Sequence, residues 1–205
     1  MNQPVVPDSA LTAGHALVVV DVQRDFCPGG SLAVPDGDAI FGVVNAWLQA
    51  YHQHGLPIAF TQDYHPQNHI SFKARGGLWP PHCVAGSAGA EIHPAIGIPP
   101  EASFFHKGVD PDQDAYSGFE GRLYDPAHPA EPGPGLAEWL RQRQVTTVVV
   151  MGLATDYCVR ATALDALSLG FAVKLVRAGV RGVDVHPGDS ERAIDEVAAR
   201  GGMVL

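Results

Sequence analysis

The stretch VTTVVVMGLATDYCV, residues 145–159, decides the fold. Its first half is short, uninterrupted and β-branched, the pattern of a strand buried on both faces, and the polar residues after Ala154 open a helix expected over about 156–169. A strand feeding directly into a helix is half of a βαβ unit, and the second strand follows as FAVKLVR at 171–177. Working outward, ALVVVDV (16–22) and LPIAFTQ (56–62) read as two more buried strands. Between them Ile40, Val43, Val44, Trp47, Leu48 and Tyr51 recur at helical spacing over 38–53, with Gly55 placed to end the helix. A short apolar piece at 103–106, a helix through Trp139 and Leu140, a helix over 189–199 and a terminal MVL complete the pattern. Strands alternating with helices predict an α/β fold: one mostly parallel sheet, helices on both faces, and ligands bound beyond the carboxyl ends of the strands.

Composition bounds the partners. With 46% apolar and 17% charged residues, the 205-residue chain can bury a full core, and a single domain over 1–205 is expected. A formal net charge of -9 without a Lys/Arg cluster argues against nucleic acid or an anionic membrane and leaves a small-molecule role. The longest apolar runs fall far below the roughly 20 residues of a membrane span, and no basic-then-apolar leader pattern opens the chain. Three cysteines cannot all pair with one another, which points to thiols in a reducing compartment, the cytoplasm. The oligomeric state is open, a homo-oligomer included.

Polar residues that interrupt strand ends are the candidates for chemistry. Asp21 closes the run 17–20, where apolar neighbours would desolvate its carboxylate and make it a candidate general base; a turn cap or a salt bridge in the sheet would account for it too. Cys158 falls in the first turn of the helix after the strand, where the helix dipole favours a thiolate nucleophile, or else it is one more small buried side chain. The loop 63–100 is rich in His, Pro and Gly, and a loop of that length in a compact domain is usually functional. Within it Asp63, His65 and His69, followed by His82, offer one carboxylate and three imidazoles, a donor set for a divalent ion such as Zn, Fe or Mn; histidines on a polar surface loop are the alternative. Lys107, in FFHKG, would be costly to bury without a carboxylate partner such as Asp21, and is otherwise a solvated surface residue. Cys27 and Cys83 belong to no C-x-x-C pair and are expected to be packed and unreactive. The Pro-rich segment 125–135 reads as a surface connector.

Six strings stand in order: VDVQRDFCPGGSLAV (20–34), DYHPQNHISF (63–72), WPPHCV (79–84), FHKG (105–108), AYSGFEG (115–121) and GLATDYCV (152–159). Through them the sequence resembles the nicotinamidase/pyrazinamidase branch of the isochorismatase-like cysteine hydrolases. The resemblance implies a three-layer αβα domain around a six-stranded, mostly parallel sheet. It implies a triad of Asp21, Lys107 and Cys158 at the carboxyl edge of that sheet, and one divalent metal ion on Asp63, His65, His69 and His82, with His69 the ligand that varies. Phe26 and Trp79 match the aromatic walls of the family's pocket, and Tyr116, Tyr157 and Ala154 are expected to complete it. A cis peptide between Leu153 and Ala154 is also implied. The implied substrate is nicotinamide or a related aromatic amide, cleaved to acid and ammonia.

Overall fold

The computed structural model describes residues 5–129 and 131–205. In chain order the elements are β1 (His15–Val20), α1 (Phe41–Gln53), β2 (Ile58–Asp63), β3 (Ser103–Lys107), β4 (Arg122–Leu123), α2 (Leu136–Gln142), β5 (Thr147–Leu153), α3 (Arg160–Ser168), β6 (Ala172–Arg181), α4 (Asp189–Ala199) and β7 (Met203–Val204). They build one seven-stranded sheet in the order β4-β3-β2-β1-β5-β6-β7, parallel except for β4. The expected count of six strands is therefore corrected to seven. The extra strand is β4, two residues pairing antiparallel with β3, too short for any period-two pattern to announce it.

Alternation along the buried strands splits the core in two. Leu17, Val19, Phe60, Val149 and Met151 face one side and pack on Val44, Trp47, Leu48 and Tyr51 of α1. Ala16, Val18, Val20, Ala59, Val148 and Val150 face the other, under Trp139 and Leu140 of α2, Ala163 and Ala166 of α3, and Ile194 and Val197 of α4. Because both faces are covered, each central strand is apolar at nearly every position, which is why the runs read without alternation. Gly55, at φ 61, ends the residues beyond α1 as expected, while the expected start of that helix at 38 is a 3₁₀ turn, Gly37–Ile40, ahead of α1. No helix among the described residues is long and apolar enough to cross a membrane.

Two local departures matter for the site. The strand at 16–22 stops at Val20, because Asp21 turns the chain with φ 47. The helix expected from 156 begins instead as a π turn, Thr155–Val159, before α3. The Leu153–Ala154 peptide between β5 and that turn is cis. The loop 63–100 holds two short 3₁₀ turns and isolated bridges, His65 with Val84 and Phe72 with Trp79 among them, which fold it back on itself beyond the carboxyl ends of the strands. The Pro-rich segment carries exposed residues on both sides of position 130, which lies outside the described residues.

Candidate active site

Three neighbouring strand ends converge on one buried ammonium. β2 and β3 run in a register that pairs Asp63 with Lys107, the last residue of each strand. Asp21 follows the end of β1, its N–H donating to Thr61 O at 3.2 Å, and its left-handed turn aims the carboxylate across the sheet edge. Lys107 Nζ lies 2.9 Å from Asp21 Oδ2, contacts Asp63 Oδ1, and reaches Cys158 Sγ at 3.4 Å. Asp21 and Lys107 are fully buried and Cys158 is 7% exposed. The structure brings Asp21, Lys107 and Cys158, which the resemblance grouped, together at the carboxyl edge of the sheet, and adds Asp63, which shares the lysine.

Burial sets the protonation states. Desolvation raises the proton affinity of Asp21, with Lys107 opposing and Asp63 reinforcing the rise. Burial would raise Asp63 too, but Lys107, His65 and His82 hold it below the usual carboxylate range. Lys107 loses solvation and still stays firmly charged because Asp21 and Asp63 flank it. Burial pushes the Cys158 thiol well up, and Lys107 does not offset that. Asp21 and Asp63 beside it act in the same direction as burial, against the helix N-terminus and Lys107 that favour a thiolate. Asp21 Oδ2 receives no well-aligned hydrogen bond, whereas Oδ1 accepts one from Thr61 Oγ1 at 2.7 Å. Oδ2 instead faces the Lys107 ammonium as an ion pair.

The metal-type donors form a second cluster against the first. One ligand atom each of Asp63, His65 and His82 lies within 4.8 Å of the other two. His65 Nδ1 donates to Gly108 O at 2.9 Å and His82 Nδ1 to Pro80 O at 2.8 Å, which turns both Nε2 atoms toward Asp63 Oδ2, at 3.5 and 3.9 Å. Backbone carbonyls that fix the tautomer in this way are the usual outer shell of metal-binding histidines. Gly108, at φ 62, permits the approach, since a Cβ there would fall 2.4 Å from His65 Cε1. The chemistry and spacing of the three donors fit one divalent ion with open positions. His69 is brought alongside but not into this set. Its ring stacks on His65 at 4.1 Å, while Nδ1 meets Ser71 Oγ at 2.7 Å and Nε2 donates to Gln113 O at 2.9 Å.

Above both clusters opens a small cavity of about 40 Å³. Phe26, Trp79, Tyr116, Ala154 and Tyr157, all expected from the sequence, line it together with Asp63, His82 and Cys158. Trp79 stands edge-on to Tyr157 at 5.1 Å and donates through Nε1 to Tyr116 Oη at 3.3 Å, which fixes the indole plane. Leu32, Val34 and Val183 also line the cavity, and the sequence reading missed them because apolar residues outside strands carry no signal of what they face. Thr61 was missed as well, although a hydroxyl inside the apolar run IAFTQD was a readable sign. Cys27 and Cys83 are buried, with Cys27 pushed up to about 11 by burial, as expected of unreactive thiols.

A thiol, a carboxylate and a buried cation at the carboxyl edge of a parallel sheet, next to a metal-type cluster, are the parts of a hydrolytic enzyme built on an αβα sandwich. The chain belongs to the isochorismatase family: the isochorismatase domain matches residues 15–205. It is 41% identical to the nicotinamidase of Escherichia coli K12 over 91% of this chain and 92% of that protein. A pyrazinamidase of Pyrococcus horikoshii solved in complex with zinc superposes with a TM-score of 0.83 at 46% identity, over 94% of this chain and 98% of its own. An L. infantum protein solved in complex with nicotinate superposes with a TM-score of 0.79 at 35% identity, over 94% and 92%.

Proposed function

We propose that this chain hydrolyses nicotinamide to nicotinate and ammonia, the nicotinamide-returning step of NAD salvage, and accepts pyrazinamide by the same route. The observation that carries the reading is the ammonium of Lys107 holding Asp21 Oδ2 at 2.9 Å and Cys158 Sγ at 3.4 Å on the floor of an aromatic-walled cavity. The nicotinamidase name of the E. coli relative and the nicotinate complex support the substrate.

Asp21 accepts the Cys158 proton as sulfur attacks the carboxamide carbon, and the carbonyl electrons move to oxygen. The N–H groups of Ala154 and Cys158 are the donors proposed for that oxyanion. The tetrahedral adduct collapses: the C–N bond breaks, Asp21 returns the proton to nitrogen, ammonia leaves and a thioester remains. Water then attacks the thioester with Asp21 again as base, the C–S bond breaks, and nicotinate and the thiol are released. Lys107 stays charged throughout and balances Asp21 when it is ionised. Asp63, His65 and His82 would hold one divalent ion, Zn, Fe or Mn, with His69 buttressing His65; the ion supplies a Lewis-acid anchor for the ring nitrogen. Phe26 and Trp79 sandwich the ring. Three free buried cysteines support placement in the cytoplasm.

Ammonia release from nicotinamide tests the proposal. Stripping the metal with a chelator is expected to lower kcat/KM by more than about tenfold, mainly through KM, because an anchor rather than the attacking group is lost. Absence of ammonia with Zn, Mn and Fe each restored would overturn the assignment. The pH profile is a second test. Asp21 must be ionised in the free enzyme, and burial raises its pKa, so kcat/KM is present above that pKa and is lost as pH falls through it. The acid limb is expected above the usual carboxylate range near 4; a limb at or below that range would remove Asp21 as the base.

A further inference from the structure

Asp156 lies two residues before Cys158, and no step of the reaction uses it. Its carboxylate leaves the nucleophile's turn and reaches the segment after β6, where Oδ1 accepts from Val183 N at 2.9 Å and Oδ2 from Asp184 N at 2.8 Å. Val183 lines the cavity that holds Cys158. This part of the pocket wall has no ladder of its own, because β6 ends at Arg181. On its far side Asp184, at φ 50, accepts from Ser190 N and Ser190 Oγ, both at 2.8 Å, at the start of α4. The join is close: a Cβ on Gly182 would lie 1.8 Å from Ser190 Oγ and 2.9 Å from Asp156 Oδ1. Immediately beyond it Val185 turns outward, 56% exposed.

A carboxylate accepting two backbone N–H groups makes the stronger, charge-assisted kind of hydrogen bond, and no neutral side chain of the same size reproduces it. An asparagine would accept once and turn its own NH₂ toward the second N–H. We infer that Asp156 is a positioning residue that clamps the 182–184 segment to the turn carrying Cys158, fixing how far Val183 stands from the nucleophile and so the width of substrate admitted. This rests on the reading of Cys158 as an amidase nucleophile, so the test includes a measurement that needs no substrate.

The experiment compares wild type, Asp156→Ala, Val183→Ala and the double variant, with Asp156→Asn as the same-size alternative should the alanine variant fail to fold. Cys158 is alkylated at one pH by iodoacetamide and by its bulkier N-aryl analogue, with the adduct located by mass spectrometry; the ratio of the two rates cancels the acidity of the thiol. Each single variant is expected to raise the bulky-to-small ratio by about tenfold, and the double variant no further than either, because both act on one wall. For nicotinamide, Asp156→Ala is expected to raise KM while kcat stays within about threefold. An unchanged ratio in Asp156→Ala, effects that multiply in the double variant, or a loss confined to kcat overturns the clamp. A wild type that releases no ammonia from nicotinamide overturns the amidase reading instead, and the alkylation ratios still decide the clamp.

Discussion

Replacing Cys158 by alanine is expected to lower nicotinamide turnover by roughly 10⁴-fold or more while leaving fold and metal content intact. The mechanism has one atom that bonds to the acyl carbon, and no other thiol or hydroxyl replaces it: Cys27 and Cys83 are themselves buried and held protonated by their surroundings. Of the two donor groups at the site, Asp63 with His65 and His82 and Asp63 with Asp21 and Cys158, the one proposed for the metal lacks this sulfur, so metal stoichiometry should match wild type. Serine at the same position is expected to fare little better, since Asp21 would face a hydroxyl far less acidic than a thiol. Ammonia release followed alongside metal analysis checks both halves. Turnover near wild type would exclude the thioester route and move attention to an attacking water.

Replacing Lys107 by methionine is expected to remove activity and also to destabilise the protein by about 3–5 kcal/mol, the cost typical of breaking a buried pair by deleting one partner. Lys107 is fully buried and faces both Asp21 and Asp63. Without it two carboxylates oppose each other in a dry site, both gain proton affinity, and Asp21 rests as the acid, unable to take the thiol proton. Arginine should not rescue, because its planar fork needs more room than a fully enclosed ammonium occupies. Urea unfolding with kcat/KM measured on the folded fraction separates the two losses. A variant as stable as wild type would mean that the carboxylates are already neutral.

The sequence made the fold legible wherever burial dictated composition. β1 and β5 are apolar at nearly every position because both sheet faces are covered, and α1 announces itself through one apolar stripe. β4 was not legible, since two residues carry no period. In the site, Asp21, Lys107 and Cys158 stood out as polar residues at strand ends, and resemblance supplied their joint role. The double duty of Asp63 and the diversion of His69 to Gln113 O were not legible, because both depend on contacts between segments far apart in the chain. Val183 belongs with these: it gains meaning only through the carboxylate of Asp156.

The pairing of Asp63 with Lys107 at the ends of β2 and β3 has a consequence for assembly. Side chains alternate along a strand, so sliding β3 by one residue would turn Lys107 away and offer His106 or Gly108 to the two carboxylates. In the native register His106 faces the other way, its ring stacked between Tyr64 at 4.2 Å and Tyr124 at 4.3 Å. A slipped β3 would therefore take from the two carboxylates the ammonium that faces both of them. The ion cluster thus sets strand register as well as charge: only one alignment of β3 on β2 brings Lys107 to both carboxylates.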